Sequence, residues 1–329
     1  MYTELRARRR LIVCVCVQVL PAAHIARPAL STVQFLGLYD GHGGAACAHY
    51  AASELHTCLK SSSAFLGGDV CTGLSEAFAA CEAGFLADSQ SASGSCALVA
   101  VLGSGRLHLA HIGDSRAVLC QRGVVGDGED VAGFVAVPLT DDHKPDSPEE
   151  KARIESIGGM VVIGGRCARV THPSTSMMLA TSRSFGDRNF KESWKDVAMA
   201  MEARLRAEAV ARALEAPPSG EAAEAQGGSL VDLPAYVSVH ADEVQPLLSP
   251  VPCVAERTLV PGDEFVILAC DGVWDVLTDT QACDSVRAAL AQPHATPEEA
   301  ARKLAGDAYN AGSEDNISVL VAVLSEELV

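Results

Sequence analysis

Short apolar runs and amphipathic segments follow one another along most of the chain, and they predict strands and helices respectively. Runs rich in β-branched residues and leucine predict strands at 11–20 and 33–39, and a three-strand meander at 96–102, 106–113 and 116–120. Apolar positions at helical spacing predict helices over 44–60, 70–87 and 297–311, and a glycine pair ends a shorter helix over 149–159. Because strands and helices are intermixed without regular βαβ alternation, we expect an α+β fold with antiparallel sheets.

An alanine-rich, polar stretch interrupts this pattern in the second half of the chain. It predicts a helix over 191–216, a linker over 217–229 and a strand at 236–241. We interpret 191–235 as a surface insertion into a domain that spans 33–329, with residues 1–32 as an atypical N-terminal segment. The helix of the insertion could instead be a docking element for a partner.

Composition narrows the class of protein. The 329 residues carry a net charge of −17, from 25 basic and 42 acidic side chains, which argues against nucleic acid as a partner. Twelve cysteines are scattered through apolar runs without a CxxC pair, which indicates free thiols in a reducing compartment rather than a structural zinc site. No apolar run reaches the ~20 residues of a membrane span, so we expect no membrane association.

The N-terminal segment allows two interpretations. RARRR (6–10) followed by LIVCVCVQVL (11–20), with small residues at Ala22, Ala23 and Ala26, has the parts of a secretory signal. The β-branched content of the same run favours a buried strand instead. The free cysteines argue against export, so we expect a cytoplasmic or nuclear protein, with a cleaved or anchored targeting segment as the alternative.

Three aspartates follow apolar, strand-like runs that lie far apart in the sequence. Asp40 ends FLGLYD before GHGG, Asp271 ends FVILACD before GVWD, and Asp315 precedes Asn316 and a further apolar run. Taken singly, an Asp-Gly pair is a common turn. Carboxylates at the ends of three strands are, however, what a site for a hard divalent cation needs.

These runs belong to a longer ordered set: DGHGG (40–44), GSCALVAVL (94–102), GDSRAVL (113–119), DDHKP (141–145), EEKARIESIGG (149–159), LATSRSFGD (179–187), DGVWD (271–275) and DNIS (315–318). The set closely resembles the metal-dependent protein serine/threonine phosphatases, the PPM or type 2C family, over residues 33–323. The resemblance implies a four-layer αββα sandwich of two antiparallel β-sheets flanked by helices. It also implies hydrolysis of phosphoserine and phosphothreonine in protein substrates by a metal-bridging water, with two Mg²⁺ or Mn²⁺ ions.

The resemblance also implies metal ligands. Asp40 resembles the carboxylate that bridges both ions, and the Gly41 carbonyl resembles a ligand of the second ion. Asp271 and Asp315 would hold the first ion. A weaker third-metal site would use Asp142 and Asp275 together with Asp271.

Further roles follow from the same resemblance. His42 resembles the general acid that protonates the leaving serine oxygen, and residues 160–187 would form a flap beside the site. We expect Asp114 to hold the meander turn and Arg183 to make an ion pair rather than contact substrate. Three more histidines are expected to be structural or surface residues rather than metal ligands: His111, His143 and His172.

The chain departs from the family upstream of Asp40. Family members carry a strand with the pattern Arg-x-x-Met-Glu-Asp-x-His, in which the arginine grips the phosphate, the glutamate binds the second ion and the aspartate supports it through water. Matching the closing histidine to His24 places Val17 at the arginine, Pro21 at the glutamate and Ala22 at the aspartate. The second ion should then bind more weakly. Because the mismatch is confined to residues 1–32, an alternative first exon is one explanation.

Two functional readings follow from this departure. The first is a working, monomeric phosphatase that acts on phosphoserine and phosphothreonine proteins. The second is a pseudophosphatase that binds a phosphoprotein or another partner with little or no turnover.

Overall fold

The computed structural model of the chain describes residues 2–5, 13–21, 32–124, 130–165, 167–172, 176–191 and 246–324, with positions 203 and 207. The predicted insertion over 191–235 and the strand predicted at 236–241 fall almost entirely outside these ranges. The strands are β1 (Tyr2–Leu5), β2 (Val13–Pro21), β3 (Thr32–His42), β4 (Gly94–Gly103), β5 (Arg106–Ile112), β6 (Arg116–Val124), β7 (Asp130–Pro138), β8 (Met160–Gly164), β9 (Cys167–Thr171), β10 (Met178–Leu179), β11 (Phe185–Gly186), β12 (Cys253–Thr258), β13 (Asp263–Ala269) and β14 (Ile317–Val323). The helices are α1 (Ala46–Ser61), α2 (Ser63–Leu66), α3 (Val70–Asp88), α4 (Pro148–Ser156), α5 (Asp271–Trp274), α6 (Asp279–Leu290) and α7 (Pro297–Asn310).

The strands form two large sheets and one small one. The first sheet has the order β12-β5-β4-β3-β2, with β11 added against β4, and the second has the order β1-β14-β13-β6-β7. Every described pairing within these two sheets is antiparallel. A three-stranded sheet of order β10-β9-β8 occupies the segment that the sequence assigned to a flap.

Three apolar layers separate four layers of secondary structure. One layer lies between the first sheet and the helices α1 and α3, a second between the two large sheets, and a third between the second sheet and the helices α6 and α7. This is the αββα sandwich that the sequence predicted. All twelve cysteines, each within the described ranges, are free.

Strand β3 shows how the sequence produces these layers. Successive side chains of a strand point to opposite faces. Phe35 and Tyr39 therefore pack towards α1 and α3, whereas Leu36 and Leu38 pack between the sheets. Burying a leucine of this kind contributes about 1.5–3 kcal/mol. Both faces of β3 are covered, which explains why its sequence is almost continuously apolar.

The helices carry their own start signals. Asp69 caps α3 by accepting a bond from the Thr72 amide at 3.0 Å, and Thr296 and Glu299 form a capping box at the start of α7. By length and composition α3 could cross a membrane, but Leu74 and Phe78 are buried against the first sheet, as in a core helix.

The predicted meander is wrong in its third strand. β4 and β5 do pair, but β6 leaves their sheet and pairs with β7 and β13 in the second sheet. Alternation along a strand reports which residues are buried and not which strand lies beside it. The crossing occurs at Gly113, Asp114 and Ser115, which link β5 of the first sheet to β6 of the second.

Candidate metal centre

Asp40 stands near the end of β3, where the chain leaves the first sheet for α1. The strand stays paired with β4 as far as His42. Gly43 and Gly44 then adopt φ angles of 67° and 134°, which glycine tolerates and other residues rarely adopt. The DGHGG sequence thus folds into a corner that presents Asp40 and His42 at one end of the sandwich.

Asp271 reaches the same place from the second sheet. It begins the one-turn helix α5 directly after β13. A Cβ on Gly272 would lie 2.1 Å from the carbonyl oxygen of Asn316, so only glycine lets this turn approach the loop before β14. Ligand atoms of Asp40, Cys270 and Asp271 lie within 4.8 Å of one another. The structure therefore brings together two of the aspartates that the sequence singled out.

The electrostatics of this pair favour a cation. Burial raises the pKa of Asp40 well above its usual range, and the charges of Asp271, Asp114 and Asp315 raise it further. Burial and the charges of Asp114, Asp315 and Asp275 raise the pKa of Asp271 to about 7. The Oδ1 atom of Asp271 is buried without a hydrogen-bond partner among the described residues. Crowded carboxylates with unused oxygens fit a hard divalent ion.

Two further predicted ligands, Gly41 and Asp315, lie in the chain segments next to Asp40 and Asp271. Gly41 is buried beside Asp40, in register with Ser95 of β4. Asp315 is exposed, and its Oδ1 accepts a bond from the Asn316 amide at 2.7 Å. Its charge nevertheless acts on Asp40 and Asp271. The ligand roles of Gly41 and Asp315 stay predictions.

Asp142 is engaged elsewhere. Both of its oxygens accept bonds from Arg116, at 3.0 Å from Nε and 2.9 Å from Nη2. A third-metal role for Asp142 would therefore compete with a guanidinium. Asp275 lies at the end of α5. Partial burial of its carboxyl raises its pKa, the charge of Lys144 lowers it and the charge of Asp114 raises it, and the pKa is raised overall.

Asp114 is an acidic residue of the centre that the sequence analysis assigned to a structural turn. It is 7% exposed, pairs with Lys144 at 2.7 Å and is a cause of the raised pKa of both Asp40 and Asp271. The signal was present in the sequence, since Asp114 follows an apolar strand just as Asp40 does.

A buried carboxylate holds His42. Nε2 of His42 lies 2.7 Å from Oδ2 of Asp187, which is 4% exposed and also accepts a bond from Ser184 Oγ at 2.5 Å. Burial alone would lower the pKa of His42, but the Asp187 carboxylate outweighs it and the pKa is raised. A raised pKa favours the protonated ring, which is the form that can donate a proton.

Asp187 ends the motif LATSRSFGD (179–187), but the sequence predicted no role for this residue. Hydrogen bonds and a buried ion pair stabilise the turn around Asp187. Gly186 has a φ of 69°, and its amide donates to Glu82 Oε2 at 2.9 Å. Glu82 in turn forms a buried ion pair with Lys191.

The N-terminal strand takes a different register from the one that the histidine match predicted. β2 pairs with β3 so that Val13 is opposite Asp40 and Pro21 is opposite Thr32. At ~3.3 Å per residue, Pro21 is thus eight positions, or roughly 26 Å, from the level of Asp40. The placement of Pro21 at a ligand position is therefore wrong. The described strand, VCVCVQVLP, carries no carboxylate in either register.

The ion pair predicted for Arg183 is confirmed, and two of the histidines expected to be structural make hydrogen bonds within the fold. Arg183 pairs with Glu150 at 2.5 Å, and Arg153 pairs with the other oxygen of Glu150 at 3.0 Å. Nε2 of His111 is 2.8 Å from the Asp141 carbonyl, and the Gly113 amide donates to Nδ1 of His143 at 3.2 Å.

Known proteins are similar to this chain in sequence and in fold. A family model described as "Protein phosphatase 2C" matches residues 8–317. "Probable protein phosphatase 2C 45" of Oryza sativa subsp. japonica is 31% identical over 291 residues, which cover 88% of this chain and 76% of that protein. "Probable protein phosphatase 2C 59" of Arabidopsis thaliana is 30% identical, with 88% and 69% covered. The crystal structure of serine-threonine phosphatase 2C from Toxoplasma gondii shares the fold at a TM-score of 0.65, with 18% identity and 99% of both chains covered.

Proposed function

The chain belongs to the protein phosphatase 2C family of metal-dependent protein phosphatases, and on that premise we propose that it hydrolyses phosphoserine and phosphothreonine in protein substrates. One observation carries the proposal: the buried, charge-crowded pair Asp40 and Asp271 lies at the same end of the sandwich as His42, which Asp187 holds.

Asp40 and Asp271 would hold the divalent ions, with the Gly41 carbonyl and Asp315 completing the ligands. Carboxylate and carbonyl oxygens suit Mg²⁺ or Mn²⁺, which prefer hard ligands and keep several waters. When bound, the ions would lower the pKa of the attacking water and neutralise charge on the phosphoryl oxygens. The neighbouring acidic residues make the site strongly negative, which favours ion binding and opposes entry of a free phosphoryl group.

His42 would donate the proton that a leaving serine or threonine oxygen needs. Alkoxides are poor leaving groups, so a positioned acid speeds their departure, typically by 10²–10⁴-fold. Asp187 would keep the imidazole protonated and oriented, since its carboxylate stabilises the cationic ring.

Two arginines upstream of the described strand β2 are candidates for the phosphate-gripping residue. Four residues upstream of positions 13 and 14, the spacing of the family's Arg-x-x-Met-Glu pattern reaches Arg9 and Arg10. Both lie outside the described residues. The family match covers residues 8–317 and so includes both arginines. We propose that one of these arginines takes the phosphate-gripping role.

A pseudophosphatase is the second candidate function. It is favoured by the absence of a carboxylate from the described strand Val13–Pro21, opposite Asp40, because the second ion would lose a charged ligand. Such a protein would bind a phosphoprotein and release it unchanged.

Turnover of a phosphothreonine peptide, with and without millimolar Mn²⁺, separates the two functions. A working phosphatase should show Mn²⁺-dependent release of phosphate that Asp271→Asn abolishes. A folded chain that binds the peptide without releasing phosphate would support the pseudophosphatase.

A carboxylate restored in the strand tests the register. Val13→Glu should raise Mn²⁺ affinity, measured by titration calorimetry, because position 13 is opposite Asp40. Pro21→Glu is the matched control and should leave the affinity unchanged. The opposite result would restore the alignment on His24.

A further inference from the structure

A second group of metal-binding side chains lies on the opposite face of the first sheet from Asp40. Ligand atoms of Cys71, His108 and Glu256 all lie within 4.8 Å of one another. His108 alternates along β5 with Leu107 and Leu109, which pack between the two sheets, so it faces the helices instead. The group is therefore separate from the acidic centre.

Three different elements supply these side chains. Cys71 lies in the first turn of α3 and is half-buried. His108 lies in β5 and is 8% exposed, and Glu256 is directly opposite it in the edge strand β12. His108 Nε2 lies 3.2 Å from Glu256 Oε2. The site thus joins the start of a helix to the edge of the sheet on which that helix packs.

The donor set differs in kind from that of the acidic centre. A thiolate, an imidazole and a carboxylate are the ligands that Zn²⁺ takes, at roughly 2.0–2.3 Å, whereas Mg²⁺ prefers oxygen alone. We propose that Cys71, His108 and Glu256 bind a divalent ion of the zinc type that fastens α3 to the β5–β12 edge, with solvent as the fourth ligand. Binding would release the thiol proton of Cys71 to solvent.

The surrounding charges are compatible with this occupancy. Glu256 offers Oε2 to the site while Oε1 pairs with Arg106. The charge of Asp69, two residues before Cys71, raises the pKa of His108, whereas the charge of Arg106 lowers it. Burial lowers the pKa of His108 and keeps the ring neutral, which is the form that binds a metal. With Glu256 and the Cys71 thiolate as ligands, the ion would be neutralised locally.

Cobalt(II) is a direct probe, because only a thiolate ligand gives it an intense near-ultraviolet charge-transfer band. The full chain, kept in excess Mg²⁺ to fill the acidic centre, should bind one equivalent of Co²⁺ with this band, and Zn²⁺ should displace it. Cys71→Ser should abolish the band. His108→Gln should weaken binding by more than the 10–100-fold that loss of an outer partner costs.

Two controls keep the test decisive. Cys58→Ser alters a half-buried cysteine of the neighbouring helix α1 and should leave the band intact. Cys253, which lies 3.2 Å from His143 Nε2, is the competing thiol, and loss of the band in Cys253→Ser rather than Cys71→Ser would overturn the proposal.

A measurement on the unaltered chain does not depend on how a variant folds. Zn²⁺ should protect Cys71 from alkylation by iodoacetamide, as read by peptide mass spectrometry. Full alkylation of Cys71 at saturating Zn²⁺ would contradict the site. Neither readout involves phosphatase activity.

Discussion

The Nε2 atom of His42 lies 2.7 Å from Oδ2 of Asp187, although the two residues are 145 positions apart in the sequence. The imidazole comes from the corner that ends β3, and the carboxylate comes from a turn stabilised by buried Glu82. Asp187 itself has a φ of 50°, a conformation that costs energy in a residue other than glycine. The turn thus holds a strained residue in contact with the proposed acid.

Asp187→Asn should reduce turnover most on substrates whose leaving oxygen needs a proton from His42. Without the carboxylate the imidazole loses its proton more readily, so the step that needs an acid becomes slow. We expect a loss of roughly 10²-fold or more in kcat on a phosphothreonine peptide, and a much smaller loss on an aryl phosphate that leaves without a proton. Steady-state kinetics on both substrates measure the ratio. Equal losses would show that Asp187 only maintains the fold, and Ser184→Ala, which leaves the carboxylate in place, should give a smaller effect.

Gly94→Ala should disrupt the same pair by crowding. A Cβ at this position would lie 2.1 Å from Asp187 Oδ2 and 2.4 Å from His42 Nε2, so one of the two side chains must move. We expect kcat to fall on the phosphothreonine peptide while the aryl phosphate is affected less. Gly164→Ala is the matched control, since a Cβ there meets nothing within 4 Å. Unchanged kinetics in Gly94→Ala would show that the His42–Asp187 contact is dispensable.

Much of the fold could be predicted from periodicity because the central strands of both large sheets are buried on both faces. Apolar runs and helical spacing gave β3, α1 and α3 to within two residues at each end, apart from the extension of β3 through His42. The sheet of β6 could not be predicted, since strand pairing depends on non-local contacts that alternation does not encode. The insertion over 191–235 lies almost wholly outside the described residues.

Some residues of the candidate site could also be predicted from the sequence, and others could not. Asp40 and Asp271 could be predicted because each ends an apolar strand and precedes glycine. Asp187 received no site role, because its contact with His42 joins segments that only the folded chain brings together. Asp114 was assigned to the turn between β5 and β6, although it follows an apolar strand as Asp40 does. For the N-terminal strand, a single matching histidine was a weaker guide than backbone pairing to β3.

Asp271→Asn should abolish turnover and yet stabilise the metal-free protein. The pKa of Asp271 is raised to about 7 by burial and by Asp114, Asp315 and Asp275, so its charge opposes folding above that pH. Removing the charge should increase the free energy of unfolding at pH 8 by about 1–3 kcal/mol, measured by urea denaturation in EDTA. Mg²⁺ should then stabilise the wild-type chain but not the variant. A variant destabilised in EDTA would contradict this account.

The pH dependence of metal-free stability tests the same carboxyl. Its folded pKa, about 7, lies above the ordinary value of 3.8, so its contribution is fully present below pH 3.8 and is lost as pH rises towards 7. We expect a decline of at most about 1.4 kcal/mol per pH unit across that window. Asp271→Asn should flatten the curve, and saturating Mg²⁺ should reverse it at the upper end. A curve with the same slope in both proteins would assign the decline to other groups.

Glu150→Gln should be the most destabilising of these substitutions. Glu150 is 3% exposed, and its two oxygens pair separately with Arg183 and Arg153. Burial would raise its pKa, but the two guanidinium groups lower it to about 2. The stabilisation from these ion pairs is therefore present above pH 4.5 and is lost as pH falls towards 2.

Removing the charge of Glu150 leaves two poorly solvated cations, which typically costs about 3–5 kcal/mol in unfolding free energy. Urea denaturation at pH 7 measures the loss. Glu155→Gln, in the exposed pair of Lys151 and Glu155, should cost less than about 1 kcal/mol, and equal losses would show that burial does not set the strength of the Glu150 pairs.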